Sequence, residues 1–194
     1  MKCDVILAGV GGQGVLSIAA IIARAAAGAG FRVRQSEVHG MAQRGGAVLA
    51  HLRLAEGAIA GDLVPRGGAD AIISMEPLES LRYLSWLAPS GAVVTAMEPF
   101  INIPNYPEIA EIRGVIQSLP RTAPIEAAAL AKEAGLARAV NMVMVGAASP
   151  YLPVSTDALE NTIEEMFAAK DPKLAEANKK AFNLGRTAGN IRPA

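Results

Sequence analysis

The sequence has a single cysteine, Cys3, among its 194 residues. One thiol cannot form an internal disulfide, and it cannot supply the several thiolates that a structural zinc ion or an iron–sulfur cluster requires. We therefore expect no metal site in this chain, and any cluster chemistry must belong to another protein.

Net charge and aromatic side chains are also scarce. Lysine plus arginine and aspartate plus glutamate both total 18, so no electrostatic argument favours a nucleic acid as partner. Aromatic residues make up 4% of the chain while apolar residues make up 52%, which is typical of small side chains that let helices pack closely on a sheet. The length suits one well-buried domain and is short for two.

Long hydrophobic runs are absent as well. The longest, residues 18–29, is interrupted by Arg24 and is too short to cross a bilayer. The first residues lead directly into a short strand that contains Asp4, unlike the pattern of a signal peptide. We expect a cytoplasmic location and no membrane partner.

Short apolar strands alternate with helical patterns along the chain. This alternation predicts an α/β fold with a doubly wound, mostly parallel sheet, that is, a Rossmann-like three-layer domain. We expect a single domain over residues 1–194, with C-terminal helices from about 155 to 185 packing on it. Strands are predicted over residues 5–8, 31–36, 47–54, 71–75, 91–95 and 121–125, and helices over 13–27, 108–117, 127–134 and 139–148.

Four local patterns give more specific expectations. Residues 47–54 alternate in polarity, which predicts a half-exposed strand with His51 and Arg53 at the surface or at a subunit contact. Leucines at helical spacing predict one helix through residues 78–87. Glu76, just before it, is expected to cap that helix, with a ligand hydroxyl as the alternative partner. Residues 97–107 contain three prolines and are expected to form an extended surface excursion.

The first glycine-rich segment, residues 9–14, has the spacing G-x-G-x-x-G at the end of the first predicted strand. Glycines here permit a tight turn and let a phosphate approach the backbone amides that open the next helix. Three interpretations stay open: a dinucleotide site, another phosphate or acyl-carrier ligand, and close strand–helix packing alone. Glu37 favours the first, because it lies 23 residues after Gly14, where a ribose-binding acid would fall. The candidate ligand- or phosphate-binding residues of this segment are Gly9, Gly11, Gly12, Gln13 and Gly14.

The second glycine-rich segment, residues 36–46, follows the second predicted strand and should lie on the same edge of the sheet. The Arg44 guanidinium suits recognition of a phosphate or carboxylate, with a loop-stabilising salt bridge as the alternative. His39 has a pKa range suited to acid–base work, but a backbone hydrogen bond is the simpler interpretation, and we assign no catalytic residue. The candidate ligand-binding residues here are Arg44, Gly45 and Gly46, and the candidate partner-interface or active-site-facing residues are Glu37, His39, Met41 and Gln43.

Together, residues 9–14 and the SEVHGMAQRGG stretch of residues 36–46 resemble the γ-type subunit of 2-oxoacid:ferredoxin oxidoreductases. Within that family the form of the second segment is similar to the β subunit of the indolepyruvate ferredoxin oxidoreductases. Further similarity lies in residues 71–83, 141–146 and 152–154. The resemblance covers nearly the whole chain and is weakest over residues 97–107.

The resemblance implies a complex that oxidatively decarboxylates an aryl 2-oxoacid with coenzyme A and yields acyl-CoA, carbon dioxide and reduced ferredoxin. It implies that a large α subunit carries thiamine diphosphate and [4Fe-4S] clusters, because Gly61-Asp62 here lacks the glycine that follows in a thiamine diphosphate motif. This chain would then shape the active site, bind no cofactor of its own and be inactive alone. Its glycine-rich segments would hold the phosphates of coenzyme A or face the α subunit. Purified alone, it could form a homodimer.

Two other functions are compatible with the same residues. An independent NAD(P)-dependent oxidoreductase would use the glycine-rich loop and Glu37 to bind its nicotinamide nucleotide. A non-enzymatic interface subunit would use both segments only to contact a partner.

Overall fold

A computed structural model of the chain describes residues 1–39, 45–169 and 171–190. Its strands are β1 (Lys2–Val10), β2 (Arg32–His39), β3 (Ala47–Ala55), β4 (Ala69–Ser74), β5 (Leu87–Ala96) and β6 (Thr122–Ile125). Its helices are α1 (Val15–Gly28), α2 (Pro77–Arg82), α3 (Ile109–Ser118), α4 (Ala127–Glu133), α5 (Val140–Ala148), α6 (Thr156–Ala168) and α7 (Pro172–Ala188), with short 3-10 helices at Leu84–Trp86 and Ser149–Tyr151.

The six strands form one sheet in the order β2-β3-β1-β4-β5-β6. Strands β1, β4, β5 and β6 are parallel neighbours, whereas β3 runs antiparallel between β1 and β2. The predicted α/β fold with a mostly parallel sheet is confirmed. Because parallel strands end at the same edge, the loops after β1, β4 and β5 meet at the carboxyl edge of the sheet.

Both faces of the central strand β1 are covered, as expected for a parallel strand inside an α/β domain. Val5 and Leu7 belong to the large core that α1, α4, α5, α6 and α7 build on one face. Ile6 and Ala8 face the smaller core on the other side, where Tyr83 and Trp86 pack. The domain therefore has a layer of helices on one face of the sheet and a thinner layer, which includes Tyr83 and Trp86, on the other.

The helices α5 and α7 approach each other at backbone distance. A Cβ placed on Gly146 would lie 1.9 Å from the Phe182 carbonyl oxygen, and one on Gly185 would lie 1.9 Å from the Val143 carbonyl oxygen. Helix α6 packs on α7 and on α1, so the C-terminal helices are joined to the main core. Within the described ranges, no helix combines the length and hydropathy needed to cross a membrane.

Strand β3 differs from the sequence-based prediction, because His51 and Arg53 are buried, with 4% and 8% of their surface exposed. The Arg53 guanidinium pairs with Asp4 through two hydrogen bonds of 2.8 and 3.1 Å. Its Nη1 also donates to three carbonyl oxygens of residues 60–63, and His51 Nδ1 accepts from the Val64 amide. The prediction was wrong because residues 56–68 fold back over this face, which local alternation does not reveal.

The single helix predicted from the leucine spacing after Glu76 is also wrong. Helix α2 ends at Arg82, a single 3-10 turn follows, and Leu87 already begins β5. Tyr83, Trp86 and Leu87 pack against the smaller core, so the apolar spacing reflects burial against the sheet and not one continuous helix.

Candidate functional site

The glycines of residues 9–14 serve two different purposes. At Gly9, a Cβ would lie 2.7 Å from Val15 Cγ2 and 3.1 Å from Met75 Cβ, so this glycine allows β1, α1 and the end of β4 to pack closely. A Cβ on Gly12 would meet open space, and a Cβ on Gly14 would only make ordinary contacts with Asn141 Nδ2 at 3.6 Å and Ser17 Oγ at 3.9 Å, but the two glycines adopt φ values of 102° and 81°. These two positions need glycine for backbone conformation.

The amino end of α1 is left open by this conformation. Gly14 is the N-cap residue and offers no side-chain cap, and the first turn contains no acidic residue. Among the described residues, the amides of Gly12 and Gly14 donate to no hydrogen-bond acceptor. Free amides and a positive helix end favour an anion such as a phosphate.

The two glycine-rich segments are joined by backbone hydrogen bonds. The Gly11 amide donates to the Gly46 carbonyl over 2.8 Å, and the Gly45 amide donates to the Gly11 carbonyl over 3.3 Å. The prediction that the segments lie on one edge of the sheet is confirmed for these residues. Met41, Gln43 and Arg44 lie outside the described residues, as does the side chain of His39.

Both polar atoms of the Gln13 side chain form a hydrogen bond within the fold. Its Oε1 accepts from the Val10 amide over 2.8 Å, and its Nε2 donates to the Met75 carbonyl over 3.1 Å. The side chain therefore ties the glycine-rich loop to the end of β4. A ligand near this loop would meet a held side chain whose strong hydrogen-bonding groups already have partners.

Glu37 does not lie beside the glycine-rich loop. It is opposite Ala50 of β3, and Ala50 is opposite Leu7 of β1, so a whole strand separates Glu37 from β1. Two strand spacings amount to about 10 Å. In a dinucleotide-binding fold the acidic residue ends the strand adjacent to the first one. The strand order thus disfavours the nicotinamide nucleotide interpretation.

The excursion of residues 97–107 is fastened across the carboxyl edge. Asn102 Nδ2 donates to the Gly45 carbonyl over 2.7 Å. Buried Glu76 accepts from the Phe100 amide and the Tyr106 hydroxyl through one carboxylate oxygen, and it caps α2 through the other. Burial and the Glu76 hydrogen bond raise the pKa of Tyr106, so its hydroxyl remains a donor. The predicted capping role of Glu76 is confirmed, and the excursion is held at several points.

A pocket of about 270 Å³ lies under this excursion, between the ends of β4 and β5 and the starts of α4 and α5. Its polar side chains are Gln13 and Glu98. Glu98 Oε1 accepts from the Ala128 amide over 2.6 Å, but Oε2 is buried and has no hydrogen-bond partner in the described part of the chain. The remaining lining residues are Met75, Ala96, Pro99, Phe100, Ala128 and Val140.

Sequence reasoning missed Glu98. The residue follows β5 almost directly, so its place at the carboxyl edge could have been inferred from strand order. That one carboxylate oxygen has a partner and the other has none could not be inferred, because the amide that binds Oε1 belongs to a helix 30 residues further along the chain.

The residues that the structure describes do not fit a metal or cluster site. No group of three or more His, Cys, Asp or Glu in the described ranges is arranged to hold a metal ion. Cys3 lies at the start of β1, away from the carboxyl edge, and its Sγ faces the Tyr151 carbonyl at 3.9 Å. Burial, and then the charges of Asp70 and Asp4, raise the pKa of Cys3 to about 12. The thiolate form that binds metals is therefore suppressed.

Comparison with known proteins gives the family. The family model described as pyruvate ferredoxin/flavodoxin oxidoreductase matches residues 4–188. Indolepyruvate oxidoreductase subunit IorB of Archaeoglobus fulgidus is 38% identical over an alignment of 194 positions, gaps included, that covers 95% of this chain and 94% of that protein. The resemblance inferred from the two glycine-rich segments is confirmed, and with it the expectation of an oxidoreductase subunit.

Solved structures show the same fold. The γ subunit of a keto/oxoacid ferredoxin oxidoreductase from Geobacter sulfurreducens superposes with a TM-score of 0.69 at 22% identity, covering 96% of this chain and 98% of that one. The 2-oxoglutarate:ferredoxin oxidoreductase of Magnetococcus marinus superposes with a TM-score of 0.78 at 22% identity over 100% of this chain. This chain spans 32% of the length of that larger one. The protein belongs to the pyruvate ferredoxin/flavodoxin oxidoreductase family.

Proposed function

We propose that this chain is the small subunit of an indolepyruvate-type 2-oxoacid:ferredoxin oxidoreductase, and that its carboxyl edge binds coenzyme A. The reaction proposed for the complex is the oxidative decarboxylation of an aryl 2-oxoacid to an acyl-CoA and carbon dioxide, with ferredoxin as electron acceptor. The assignment of substrate rests on the similarity to IorB along nearly the whole length of both chains.

The observation that carries the coenzyme A proposal is the junction of the two glycine-rich segments at the open end of α1. The Gly11–Gly46 hydrogen bond places the second segment against the loop whose Gly12 and Gly14 amides are free among the described residues. Arg44, which precedes Gly45, is proposed to contribute a guanidinium to the same anion. Phosphate groups of coenzyme A match this combination of amides, helix end and cation.

The electron-transfer and decarboxylation chemistry is assigned to a large partner subunit. Thiamine diphosphate supplies a carbanion-stabilising group when bound, and iron–sulfur clusters accept single electrons. This chain contributes one buried thiol with a raised pKa, which does not fit a cluster, and its Gly61-Asp62 lacks the glycine that follows in a thiamine diphosphate motif. Its proposed part is to bind and orient coenzyme A and to cover the partner's active site.

The test compares two glycine variants in the assembled complex. Gly12→Ala adds a methyl group at the proposed phosphate site, where φ is 102° and space is open. Gly135→Ala adds the same group at a φ of 85°, also in open space, but at the end of α4. Both variants bear similar backbone strain, so they differ mainly in location.

We expect Gly12→Ala to raise the KM for coenzyme A at least about tenfold while leaving the KM for the 2-oxoacid nearly unchanged. Gly135→Ala should leave both constants unchanged. Equal coenzyme A kinetics in the two variants and the wild type would contradict the proposal and favour a subunit that only contacts its partner.

A further inference from the structure

We infer that the pocket under residues 97–107 is a second recognition site, which binds an uncharged group carrying an N–H or O–H donor through Glu98. This inference extends the proposed function, because that function places an anion nearby, at the end of α1. The glycine-rich loop would hold the phosphates of the ligand, and the pocket would hold an uncharged part of the same ligand.

The first argument is the state of the Glu98 carboxylate. One oxygen is taken by the Ala128 amide, which fixes the orientation of the side chain. The other oxygen is buried and accepts no hydrogen bond in the described part of the chain. A buried carboxylate oxygen loses its hydration on burial and regains that free energy only from a donor or a cation. The missing partner is therefore a hydrogen-bond donor or a cation, and the apolar wall of the pocket favours a neutral donor.

The second argument is the composition of the pocket wall. Met75, Ala96, Pro99, Phe100 and Val140 make it largely apolar, and each polar atom of Gln13 already forms one hydrogen bond within the fold. A phosphate or carboxylate entering this space would meet the negative charge of Glu98. A neutral group with one or two donors and an apolar body matches both the wall and the free oxygen.

The third argument is how the roof is held. Phe100 lines the pocket and is 42% exposed, so part of its ring remains available to a ligand or to the mouth of the pocket. The Phe100 amide is bonded to Glu76, and Asn102 is bonded to Gly45. The pocket roof is thus connected directly to the segment that borders the proposed phosphate site.

Two parts of coenzyme A carry donors of this kind. The adenosine part has an amino group and one free ribose hydroxyl, since its 3′ and 5′ oxygens carry phosphates, and the pantetheine part has amide N–H groups and a hydroxyl. Their shared chemistry is what Glu98 would recognise. The experiment uses the two parts as separate probes.

The test is calorimetric titration of the full-length chain with adenosine, with pantetheine and with coenzyme A, for the wild type and for Glu98→Gln. In this variant the Ala128 amide still needs an acceptor. The glutamine side-chain oxygen therefore keeps the position of Oε1, and the side-chain NH2 group takes the position of Oε2. The pocket then presents a donor where it presented an acceptor. Glu111→Gln, at an exposed position in α3, is the matched control, and thermal melts verify that all three proteins are folded.

We expect one of the two probes to bind the wild type and the control equally and to bind Glu98→Gln at least about tenfold more weakly, because a hydrogen bond to a charged acceptor is lost. That probe identifies the part of the ligand in the pocket. The inference is overturned if the probes bind Glu98→Gln as tightly as the wild type. It is also overturned if neither probe binds the wild type at millimolar concentration, which would leave water or a basic side chain of a partner as the group on Glu98.

Coenzyme A separates this inference from the proposed function. Equal affinity of coenzyme A for the wild type and Glu98→Gln would reject the pocket and leave the phosphate site standing. Glu98-dependent binding of adenosine without any binding of coenzyme A would support the pocket and reject the coenzyme A proposal.

Discussion

The interface between α5 and α7 and the loops at the carboxyl edge both depend on glycine, but for opposite reasons. At the helix interface, Gly146 and Gly185 have ordinary backbone angles and no room for a methyl group. In the edge loop, Gly12 and Gly14 have room for a methyl group and unusual backbone angles. The first pair is required by packing, and the second pair by the path of the chain around an open helix end.

This difference separates residues that maintain the fold from residues available for function. A substitution at the helix interface acts through the packing of two helices and therefore on the whole domain. A substitution in the edge loops changes local strain and the shape of the site, while the core stays intact. The two regions can be distinguished by measuring stability and ligand kinetics on the same variants.

The largest effect is expected for Gly146→Ala. The added Cβ would overlap the Phe182 carbonyl at 1.9 Å, and because that atom is backbone, α7 would have to move. We expect the free energy of unfolding in urea to fall by about 3 kcal/mol or more. The matched control is Gly114→Ala in α3, where no atom lies within 4 Å and alanine should stabilise the helix by about 0.5 to 1 kcal/mol. Similar stabilities of the two variants would remove the basis of the comparison.

The second effect concerns how firmly the edge loops are held. Glu76→Ala removes the cap of α2 and the acceptor for the Phe100 amide and the Tyr106 hydroxyl. We expect a loss of about 2 kcal/mol in the free energy of unfolding, since three donors lose their partner. Tyr106→Phe removes a single bond and should cost about 1 kcal/mol. Equal losses in the two variants would show that the tyrosine contact alone holds the excursion.

A smaller effect is expected for Gly12→Ala and Gly135→Ala. Both positions have positive φ and open space, so each variant should lose about 1 kcal/mol of stability from backbone strain alone. Urea unfolding of the isolated chain measures this loss. A loss at Gly12 close to that of Gly146→Ala would mean that the edge loop is part of the packed core, contrary to the comparison.

The smallest effect is a pH dependence of the free energy of unfolding, which we expect from His51 in β3 and not from residues at the carboxyl edge. Burial, and then the charge of Arg53, lower the pKa of His51 below its ordinary value of 6.5. The unfolded chain therefore takes up the proton first, and stability should decline as the pH falls below 6.5 towards the folded-state pKa.

His51→Asn is the variant that isolates this contribution. The asparagine Oδ1 can replace Nδ1 as acceptor of the Val64 amide but does not titrate. Melting temperatures measured above and below pH 6.5 should decline less in this variant than in the wild type. Identical declines would assign the pH dependence to other groups.

Much of the fold could be predicted from the sequence. The buried runs of β1 and β4, the 3.6-residue pattern of α1 and the continuous apolar run of α5 are local signals, and they placed these elements within a few residues of their actual ends. The two glycine-rich segments also indicated the family, because their residue spacing is itself the signal. The contact between Gly11 and Gly46 followed from the expectation that both segments lie at one edge of the sheet.

The errors arose where a distant segment covers a face. His51 and Arg53 alternate with apolar residues, and nothing local shows that residues 56–68 return to bury them. Glu98 was overlooked for the same reason, since its Ala128 partner lies far along the chain. Leucines from residue 78 onward kept a helical spacing, although the sheet ends the helix at Arg82.

The sequence by itself determined that helices alternate with strands and that one cysteine cannot supply the several thiolates of a metal site. It also determined the two glycine-rich segments that lie at the carboxyl edge. Tertiary structure alone decided that β3 lies between β1 and β2, which separates Glu37 from the glycine-rich loop. It also decided that one oxygen of Glu98 has a partner and the other does not. The physical reason is that periodicity reports which faces of an element prefer burial, whereas the groups that cover each face come from residues far away in the chain.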